Sequence, residues 1–412
     1  MIDHNRLGRD LGLFCSDPLV GAGLPMWLPD GAAARHAVEE YLRELERRAG
    51  YQHVYSPPMA KQRVYELSGH LAHFADDMFP SMAVSADDRF LLRPGLCPHH
   101  ALMFRSRGRS YRELPLRLAE LGGMYRAERS GVLGGLSRVR AISLNDAHIF
   151  CAPDQVAGEV AAVLRLVREA HAALGVRPAR MRLSLRGRAG RAGKCGRYAG
   201  DTAMWDRAES MLRSTLDRAG VEHVEEPDEA AFYGPKIDIQ VVDAAGREET
   251  LSTVQVDFLQ PERFDLSYVD LDGRRQRPVM VHRSLVGSME RLFAYLIEIY
   301  QGAFPVWFAP VQLVVLPVGP AQRAVAAGYA DRAVRAGLRA RVEVDGSLAA
   351  RVRRAARNRI PYAAVVGARE EADGMVSLRL RDGRAPDPMP SDAALRLIAG
   401  VAGARGHDLL PR

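Results

Sequence analysis

The sequence predicts an α+β fold, with a broad antiparallel sheet flanked by helices and a small α/β domain after it. Short strand-like runs, such as 138–150, 236–243 and 249–258, are spread through the first three quarters of the chain. Beyond a Gly- and Pro-rich break near 305–311, strand and helix patterns alternate. Mixed strand runs followed by regular alternation are typical of one large α+β domain and one small α/β domain.

Two amphipathic helices are predicted in the first part. Segment 31–50 ends at a glycine and carries apolar residues at helical spacing, namely Val38, Tyr41, Leu42 and Leu45. Segment 153–174 is the second helix, and the Gly- and Arg-rich segment 186–200 is predicted to be a mobile loop.

The last hundred residues alternate more regularly. The predicted strands are 311–318, 339–344, 362–368 and 375–380, and the predicted helices are 321–337, 347–358 and 391–403. This order implies a largely parallel or mixed sheet. We therefore expect a domain of residues 1–306 and a second domain of residues 307–412.

Composition excludes several classes of protein. The 412 residues carry 57 Lys+Arg and 50 Asp+Glu, and 57 − 50 gives a net charge of +7. No apolar run approaches the roughly 18 residues of a membrane helix, and the N-terminus lacks the apolar core of a signal peptide. The sparse cysteines, Cys15, Cys97, Cys151 and Cys195, fit a reducing, cytoplasmic location. The basic balance fits a polyanionic partner, although a GC-rich genome explains the arginines equally well.

Two charged segments are candidates for phosphate binding. Arg126 and Glu128 share one face of a strand before a glycine-rich loop, where an arginine can hold a phosphate; a solvated surface ion pair is the alternative. The segment from Gly287 to Arg291 enters an apolar helix, so Arg291 lies near a helix start; a simple helix cap explains this spacing equally well.

A third set, Cys97, His148 and His282, could bind a metal. Their separations match no local zinc-finger pattern, and a lone cysteine is usually a small buried hydrophobe. Three protein ligands with an open fourth position would nevertheless be the pattern of a catalytic or substrate-binding zinc.

Several segments together resemble a known family. RAE at 126–128, HRSLVGSMER at 282–291, FYGPKIDI at 232–239, STVQVDF at 252–258 and NDAHIF at 145–150 are similar to the class II aminoacyl-tRNA synthetases, specifically the threonyl-tRNA synthetases. The resemblance covers essentially the whole chain. It implies a six- or seven-stranded antiparallel catalytic sheet, an anticodon-binding domain, and a homodimer formed through helix 31–50 and Pro57. It also implies a ligase that uses ATP with Mg²⁺, one Zn²⁺ per subunit, L-threonine and tRNA.

The resemblance assigns roles position by position. For ATP it implies the residues Arg126, Glu128, Arg138, Ile142, Thr250 and Arg291, of which Arg126 and Arg291 are catalytic. For the amino acid it implies Asp146, Tyr233, Lys236 and Gln255, and for zinc Cys97, His148 and His282. His70 would assist transfer to the terminal ribose of tRNA. Asp345, Glu370 and Arg379 would contact the anticodon, and a basic helix with Arg351, Arg353 and Arg354 would suit its phosphates.

The chain departs from the family pattern at several positions. Ile142 replaces an aromatic residue that stacks on adenine, which would cost about 0.5–1.5 kcal/mol of ATP binding. Other departures are Gly95, Leu96, His99, Ser143, Thr250, Leu251 and Asp345. The chain also begins at the catalytic domain, so we expect an enzyme without the family's N-terminal editing module.

Three interpretations follow from the resemblance. The first is an editing-less threonyl-tRNA synthetase, either an inhibitor-resistant duplicate or one that serves a biosynthetic pathway. The second is a related ligase that loads threonine or a β-hydroxy amino acid onto a carrier protein or small molecule. The third is a non-catalytic tRNA-binding or regulatory homologue. The presence of the zinc set, Arg126 and Arg291 argues against the third, and the complete C-terminal domain argues against the second.

Overall fold

The computed structural model describes residues 3–85, 87–187 and 198–411. The predicted loop 186–200 therefore falls mostly outside the described residues, as does Cys195. The helices are α1 His4–Asp10, α2 Pro29–Arg48, α3 Gln62–Ser68, α4 His70–His73, α5 Cys97–Arg105, α6 Val156–Leu174, α7 Thr202–Arg218, α8 Leu259–Arg263, α9 Met289–Tyr300, α10 Arg323–Arg335, α11 Leu348–Arg357, α12 Ala368–Asp373 and α13 Ser391–Ala404. The strands are β1 Phe14–Cys15, β2 Met26–Trp27, β3 Gln52–His53, β4 Met59–Lys61, β5 Met82–Ala83, β6 Arg89–Leu92, β7 Leu116–Tyr125, β8 Ala141–Cys151, β9 Arg180–Leu185, β10 Val224–Pro227, β11 Lys236–Val242, β12 Glu248–Asp257, β13 Tyr268–Val269, β14 Arg275–Gln276, β15 Val279–Ser284, β16 Leu313–Pro317, β17 Ala340–Val342, β18 Tyr362–Val366, β19 Met375–Leu380 and β20 Met389–Pro390.

Contacts divide the chain into two compact units. One consists of Asp17–Pro25 and Tyr41–Tyr295 (with Met1), and the other of Ile2–Ser16, Met26–Glu40 and Leu296–Arg412. The expected domain boundary between residues 306 and 307 stays a prediction. Within the part of the chain that the structure describes, no helix is both long enough and apolar enough to cross a membrane.

The first unit is built on a large mixed sheet. Its eight strands have the order β10-β9-β11-β12-β15-β8-β7-β3. The six strands from β9 to β7 are antiparallel, whereas β10 and β3 join the two edges in parallel. The predicted α+β fold is confirmed, and the sheet exceeds the expected six or seven antiparallel strands by its parallel edges.

Helix α6 covers part of this sheet, for a reason visible in the sequence. Val156, Val160, Val163 and Val167 recur every three or four residues, and all four are at most 2% exposed. Such a stripe lies along one face of a helix and packs on an apolar surface, here the strands β12 and β15. The helix ends at Gly175, whose φ of 69° is one that an L side chain rarely adopts.

The second unit contains the alternating elements that the sequence predicts. Its sheet has the order β17-β16-β18-β19-β20, with the first three strands parallel and the last two antiparallel to their neighbours. Its core includes Val315, Tyr329, Tyr362 and Ile398. The short helix α12 is absent from the predicted elements.

Candidate functional site

Four of the predicted site residues lie in one row across the large sheet. Lys236 on β11 is opposite Gln255 on β12, Gln255 is opposite His282 on β15, and His282 is opposite His148 on β8. Residues directly opposite one another in a sheet project from the same face. The antiparallel register therefore gathers side chains that are far apart in sequence.

Helix α5 completes a cluster with this row, because Cys97 is its first residue. One potential ligand atom from each of Cys97, His148 and His282 lies within 4.8 Å of the other two, and all three residues are buried. A thiolate and two imidazoles form a donor set that suits zinc and leaves a fourth position open. The structure thus brings together the three residues that the sequence singled out.

Hydrogen bonds orient the two imidazoles for such an ion. His282 Nε2 lies 2.8 Å from Asp257 Oδ2 and donates to it, which leaves Nδ1 for the cluster. His148 Nδ1 is 2.8 Å from a nitrogen of His100, which leaves Nε2 for the cluster. A metal-binding histidine commonly holds its second nitrogen in this way, so the residues present fit a zinc ion.

Burial governs ionisation in the cluster. Burial first, and the nearby Asp146 carboxylate second, raise the pKa of the Cys97 thiol well above its ordinary value. A bound cation would counteract both effects, since it favours the thiolate. A bound cation would therefore bring Cys97 into the thiolate form, the form in which cysteine binds a metal.

The residues predicted to bind the substrate amino acid lie beside the cluster or on the neighbouring strands. Asp146 is 8% exposed, and burial raises the pKa of its carboxyl to about 6. The ring of Tyr233 stacks on that of His282 with centroids 4.8 Å apart, and its hydroxyl donates to Gln255. Lys236 forms an ion pair of 2.8 Å with Asp238, two residues along the same strand. A buried carboxylate and a tyrosine beside a set of possible metal ligands suit a small zwitterion.

Arg126 and Arg291 lie together in the first unit, where Asp77 and Glu128 supply opposite charge to Arg126. The Nε of Arg126 is buried and has no hydrogen-bond partner among the described residues. Burial lowers the pKa of Arg126, and Arg291 adds to this effect while Asp77 opposes it. A desolvated guanidinium close to a second one is a natural site for a polyanion.

Arg291 lies at the start of α9, where both a helix cap and a functional side chain were considered. Its backbone nitrogen donates to Ser288 Oγ at 3.1 Å, so Ser288 caps α9. Its guanidinium instead donates to the carbonyl oxygens of Ser137 and Thr250, at 3.3 and 3.1 Å. The cap uses only the backbone nitrogen of Arg291. Its side chain reaches Ser137 in the glycine-rich loop and Thr250 on β12.

The other residues predicted to bind ATP have the following surroundings. Glu128 forms an ion pair of 2.9 Å with Arg138, whose side chain is half exposed. Ile142 and Ser143 lie on β8, and the backbone nitrogen of Ser143 donates to Glu290 at 2.9 Å. The hydroxyl of Thr250 is hydrogen-bonded to Gln240 at 2.9 Å.

His70 lies beside the metal cluster. Its Nε2 is 3.9 Å from Cys97 Sγ, and its Nδ1 is 2.7 Å from Ser68 Oγ. Burial, followed by the charge of His282, lowers the pKa of His70 to about 3. A neutral imidazole is thus held at the edge of the cluster.

The predicted anticodon residues belong to the second unit. Glu370 accepts hydrogen bonds from the Gly367 nitrogen at 3.0 Å and the Ser377 hydroxyl at 2.8 Å. Asp345 and Arg379 are exposed. The expectation that Arg351 contacts phosphates is wrong. It is 4% exposed, and its guanidinium donates to the carbonyls of Pro317 and Glu343.

Sequence reasoning missed the buried polar residues behind the site. His100, Glu120 and Asp257 bond to the metal cluster or to each other. Glu46 pairs with the fully buried Arg283 at 2.8 Å. On β12, Gln255 and Asp257 alternate with the apolar Val254 and Val256, and this alternation was the available signal for Asp257.

Comparison with known proteins identifies relatives along the whole chain. Residues 82–300 match the tRNA synthetase class II core domain (G, H, P, S and T), and residues 312–399 match an anticodon binding domain. The threonine--tRNA ligase of Listeria welshimeri serovar 6b is 46% identical over 403 residues, 97% of this chain and 62% of that protein. The chain therefore spans less than two thirds of this curated relative.

Solved structures agree with these matches. The RNA binding domain of threonyl-tRNA synthetase from Cryptosporidium parvum Iowa II superposes with a TM-score of 0.91 and 32% identity, covering 99% of both chains. The putative threonyl-tRNA synthetase ThrRS-1 from Aeropyrum pernix gives a TM-score of 0.81 at 26% identity, covering 100% of this chain and 99% of that one.

Proposed function

The chain belongs to the class II aminoacyl-tRNA synthetases of the threonyl type, and on that premise we propose that it activates L-threonine with ATP and transfers it to tRNA. The observation that carries the proposal is the buried set of Cys97, His148 and His282, with Asp146 and Tyr233 beside it.

Threonine recognition follows from this chemistry. When bound, zinc would supply a Lewis acid that takes the amino and hydroxyl groups of threonine, which an amino acid without a hydroxyl cannot match. Asp146 would accept a hydrogen bond from the amino group of the substrate, whose nitrogen lone pair would be directed at the zinc. Tyr233 packs on His282 and would close one side of the pocket.

The two arginines would act on the ATP phosphates. Arg126, whose Nε has no hydrogen-bond partner among the described residues, would donate to the α-phosphate as the threonine carboxylate attacks the α-phosphorus and pyrophosphate leaves. Arg291, held between Ser137 and Thr250, would donate to the γ-phosphate, and Mg²⁺ would accompany ATP as part of the substrate. Fixed cationic donors of this kind stabilise charge that develops on phosphoryl oxygens. Glu128 and Arg138 would contact the nucleotide.

The second half-reaction would use the neutral His70 near the terminal ribose. The match of residues 312–399 to an anticodon binding domain supports tRNA as the acceptor, rather than a carrier protein. Glu370, Arg379 and Asp345 are proposed anticodon contacts. We also propose that the protein forms a homodimer, for which exposed apolar residues of the first unit such as Tyr55 and Val84 are available. A cytoplasmic location completes the proposal.

Pyrophosphate exchange with each amino acid tests activation. We expect exchange that depends on threonine and is much weaker with valine; no exchange with threonine or a β-hydroxy analogue would refute the proposal. Aminoacylation of total tRNA, run beside candidate carrier proteins, tests the acceptor. Charging of a carrier but not of tRNA would contradict the second half of the proposal.

A further inference from the structure

A chain of buried polar residues leads away from the proposed metal cluster. His148 Nδ1 lies 2.8 Å from His100 Nδ1, and His100 Nε2 lies 3.2 Å from Glu120 Oε2. His148 and His100 are at most 1% exposed and Glu120 is 4% exposed. No solvent therefore intervenes, and each nitrogen in the chain must be satisfied by its neighbour.

Glu120 fixes the polarity of this chain because it is an ionised acceptor. Its Oε1 accepts from the backbone nitrogen of Ser56 at 3.2 Å and from Arg93 Nη2 at 3.0 Å, and its Oε2 accepts from Ser56 Oγ at 2.6 Å. Burial opposes ionisation, but hydrogen bonds from His100 and Ser56 and the charge of Arg93 lower the pKa of Glu120 to about 2.

The proton positions then follow one from another. A carboxylate can only accept, so His100 Nε2 carries a proton. In its neutral form, His100 has one ring proton, so with Nε2 protonated its Nδ1 is a bare acceptor. The Nδ1 of His148 must donate to it, because two bare nitrogens at 2.8 Å would repel each other. His148 is then left with a lone pair on Nε2, the nitrogen nearer the cluster.

We propose that His100 is a positioning residue, which with Glu120 selects the tautomer of His148 that presents Nε2 to the metal. The inference rests on the proposed function only in that it takes the ion to be zinc. It assigns to His100 and Glu120 an effect on metal affinity although neither is a ligand.

The variant Glu120→Gln should reverse the direction of the hydrogen bonds between His148, His100 and residue 120, because glutamine has almost the same shape as glutamate but can donate. Ser56 N–H and Arg93 face Oε1 and can only donate, whereas the Ser56 hydroxyl beside Oε2 can turn and accept. The amide oxygen therefore takes the Oε1 position and the NH₂ faces His100. His100 Nε2 then accepts, its Nδ1 donates to His148 Nδ1, and His148 carries its proton on Nε2, where it blocks the ligand position. We expect zinc affinity, measured by chelator competition, to fall about 10–100-fold.

Nitrogen NMR of the zinc-free protein gives a readout that does not depend on activity. With ¹⁵N-labelled histidine, wild-type His148 should show a protonated Nδ1 and the Glu120→Gln variant a protonated Nε2. Unchanged tautomer and unchanged zinc affinity in a folded variant would overturn the inference.

A pair of substitutions at His100 tests the same chain if Glu120→Gln does not fold. His100→Asn puts an amide oxygen near the position of Nδ1 and can still accept from His148. His100→Gln keeps a donor toward Glu120 but loses the contact with His148. We expect zinc affinity to be retained better in the Asn variant; equal losses, or the reverse order, would count against the inference.

His171→Gln is the matched control. His171 is also a buried histidine of this unit, and its Nε2 is 2.7 Å from Ser252 Oγ. Its zinc affinity should equal that of the wild type, and an equal loss there would mean that any buried histidine matters. If the wild type itself binds no zinc, the proposed function fails; if the wild type binds zinc and the His100 and Glu120 variants bind it as tightly, only this inference fails.

Discussion

His148 and His282 are direct partners across two antiparallel strands, with ring centroids 4.6 Å apart and ring planes at 82°. The sheet itself thus sets two of the three candidate ligands. Only Cys97 comes from a helix, so it is the ligand whose removal disturbs the sheet least.

Replacement of Cys97 by alanine should abolish stoichiometric zinc binding and reduce threonine-dependent pyrophosphate exchange by at least about 100-fold, as expected when a metal ligand is lost. Metal analysis and exchange assays measure the two effects. Cys151→Ala is the control, since Cys151 is also buried, lies on β8, and donates a hydrogen bond to the Val279 carbonyl instead of belonging to the cluster. Full activity of Cys97→Ala would refute the zinc role.

Replacement of Arg126 by glutamine should lower the rate of pyrophosphate exchange about 10²–10³-fold, because it removes a fixed donor to the developing phosphoryl charge. The kinetic constants for ATP and threonine should be measured separately, and threonine binding should change little. Arg213→Gln is the control: its ion pair with Glu225 lies on the surface, with side chains 39% and 42% exposed. A variant with wild-type exchange would contradict the proposed contact.

Replacement of Glu46 by alanine should destabilise the protein by about 3–5 kcal/mol, because it leaves a buried guanidinium unpaired. Glu46 forms an ion pair of 2.8 Å with Arg283 and accepts a hydrogen bond from Asn145 at 2.9 Å, and both partners are at most 2% exposed. Urea unfolding measures the effect. Glu169→Ala, which breaks a surface ion pair with Arg48 at 2.8 Å, should cost no more than about 1 kcal/mol.

His171 should make the protein less stable as the pH falls. Burial lowers its pKa from 6.5 to about 4, so between these values the unfolded chain binds a proton that the folded chain does not. Stability is therefore lost as the pH falls through this window, by about 2 kcal/mol between pH 7 and pH 5. Urea unfolding of the wild type and of His171→Gln at both pH values should show a smaller difference for the variant. Equal pH dependence would contradict the assignment.

Two arginines of α11 should behave in opposite ways. Arg353 is exposed, so Arg353→Ala should raise KM for tRNA and weaken its salt dependence, while pyrophosphate exchange stays unchanged. Arg351 is buried against carbonyl oxygens, so Arg351→Ala should instead lower the unfolding temperature. If both variants kept wild-type affinity for tRNA, this helix would be excluded from the tRNA contact.

Local pattern predicted most of the second unit but not its details. Strand β19 was predicted over its full extent, and α10 and α11 to within two residues, because period and capping are local properties. The helix α12 was missed because its six residues are short and mostly polar. Arg351 was misjudged because the composition of a basic helix does not say which arginine faces inward.

Some residues of the site were also predictable from sequence and others were not. Cys97, His148 and His282 were named from their segments and a family resemblance, and the structure brings them together. The parts that hold them, His100 and Glu120, could not be named, since their partners depend on strand register and on where α5 begins. Register is a long-range property, and no window of sequence contains it.

The site depends on correct strand register, because one row across the sheet contains Lys236, Gln255, His282 and His148. A slip of one residue between any two of these strands would turn one side's contribution to the opposite face of the sheet. A chain paired in the wrong register would then lack part of the cluster and could not bind an ion as tightly. Because a ligand stabilises only the state that binds it, metal supplied during folding would favour the correctly paired sheet over its shifted alternatives.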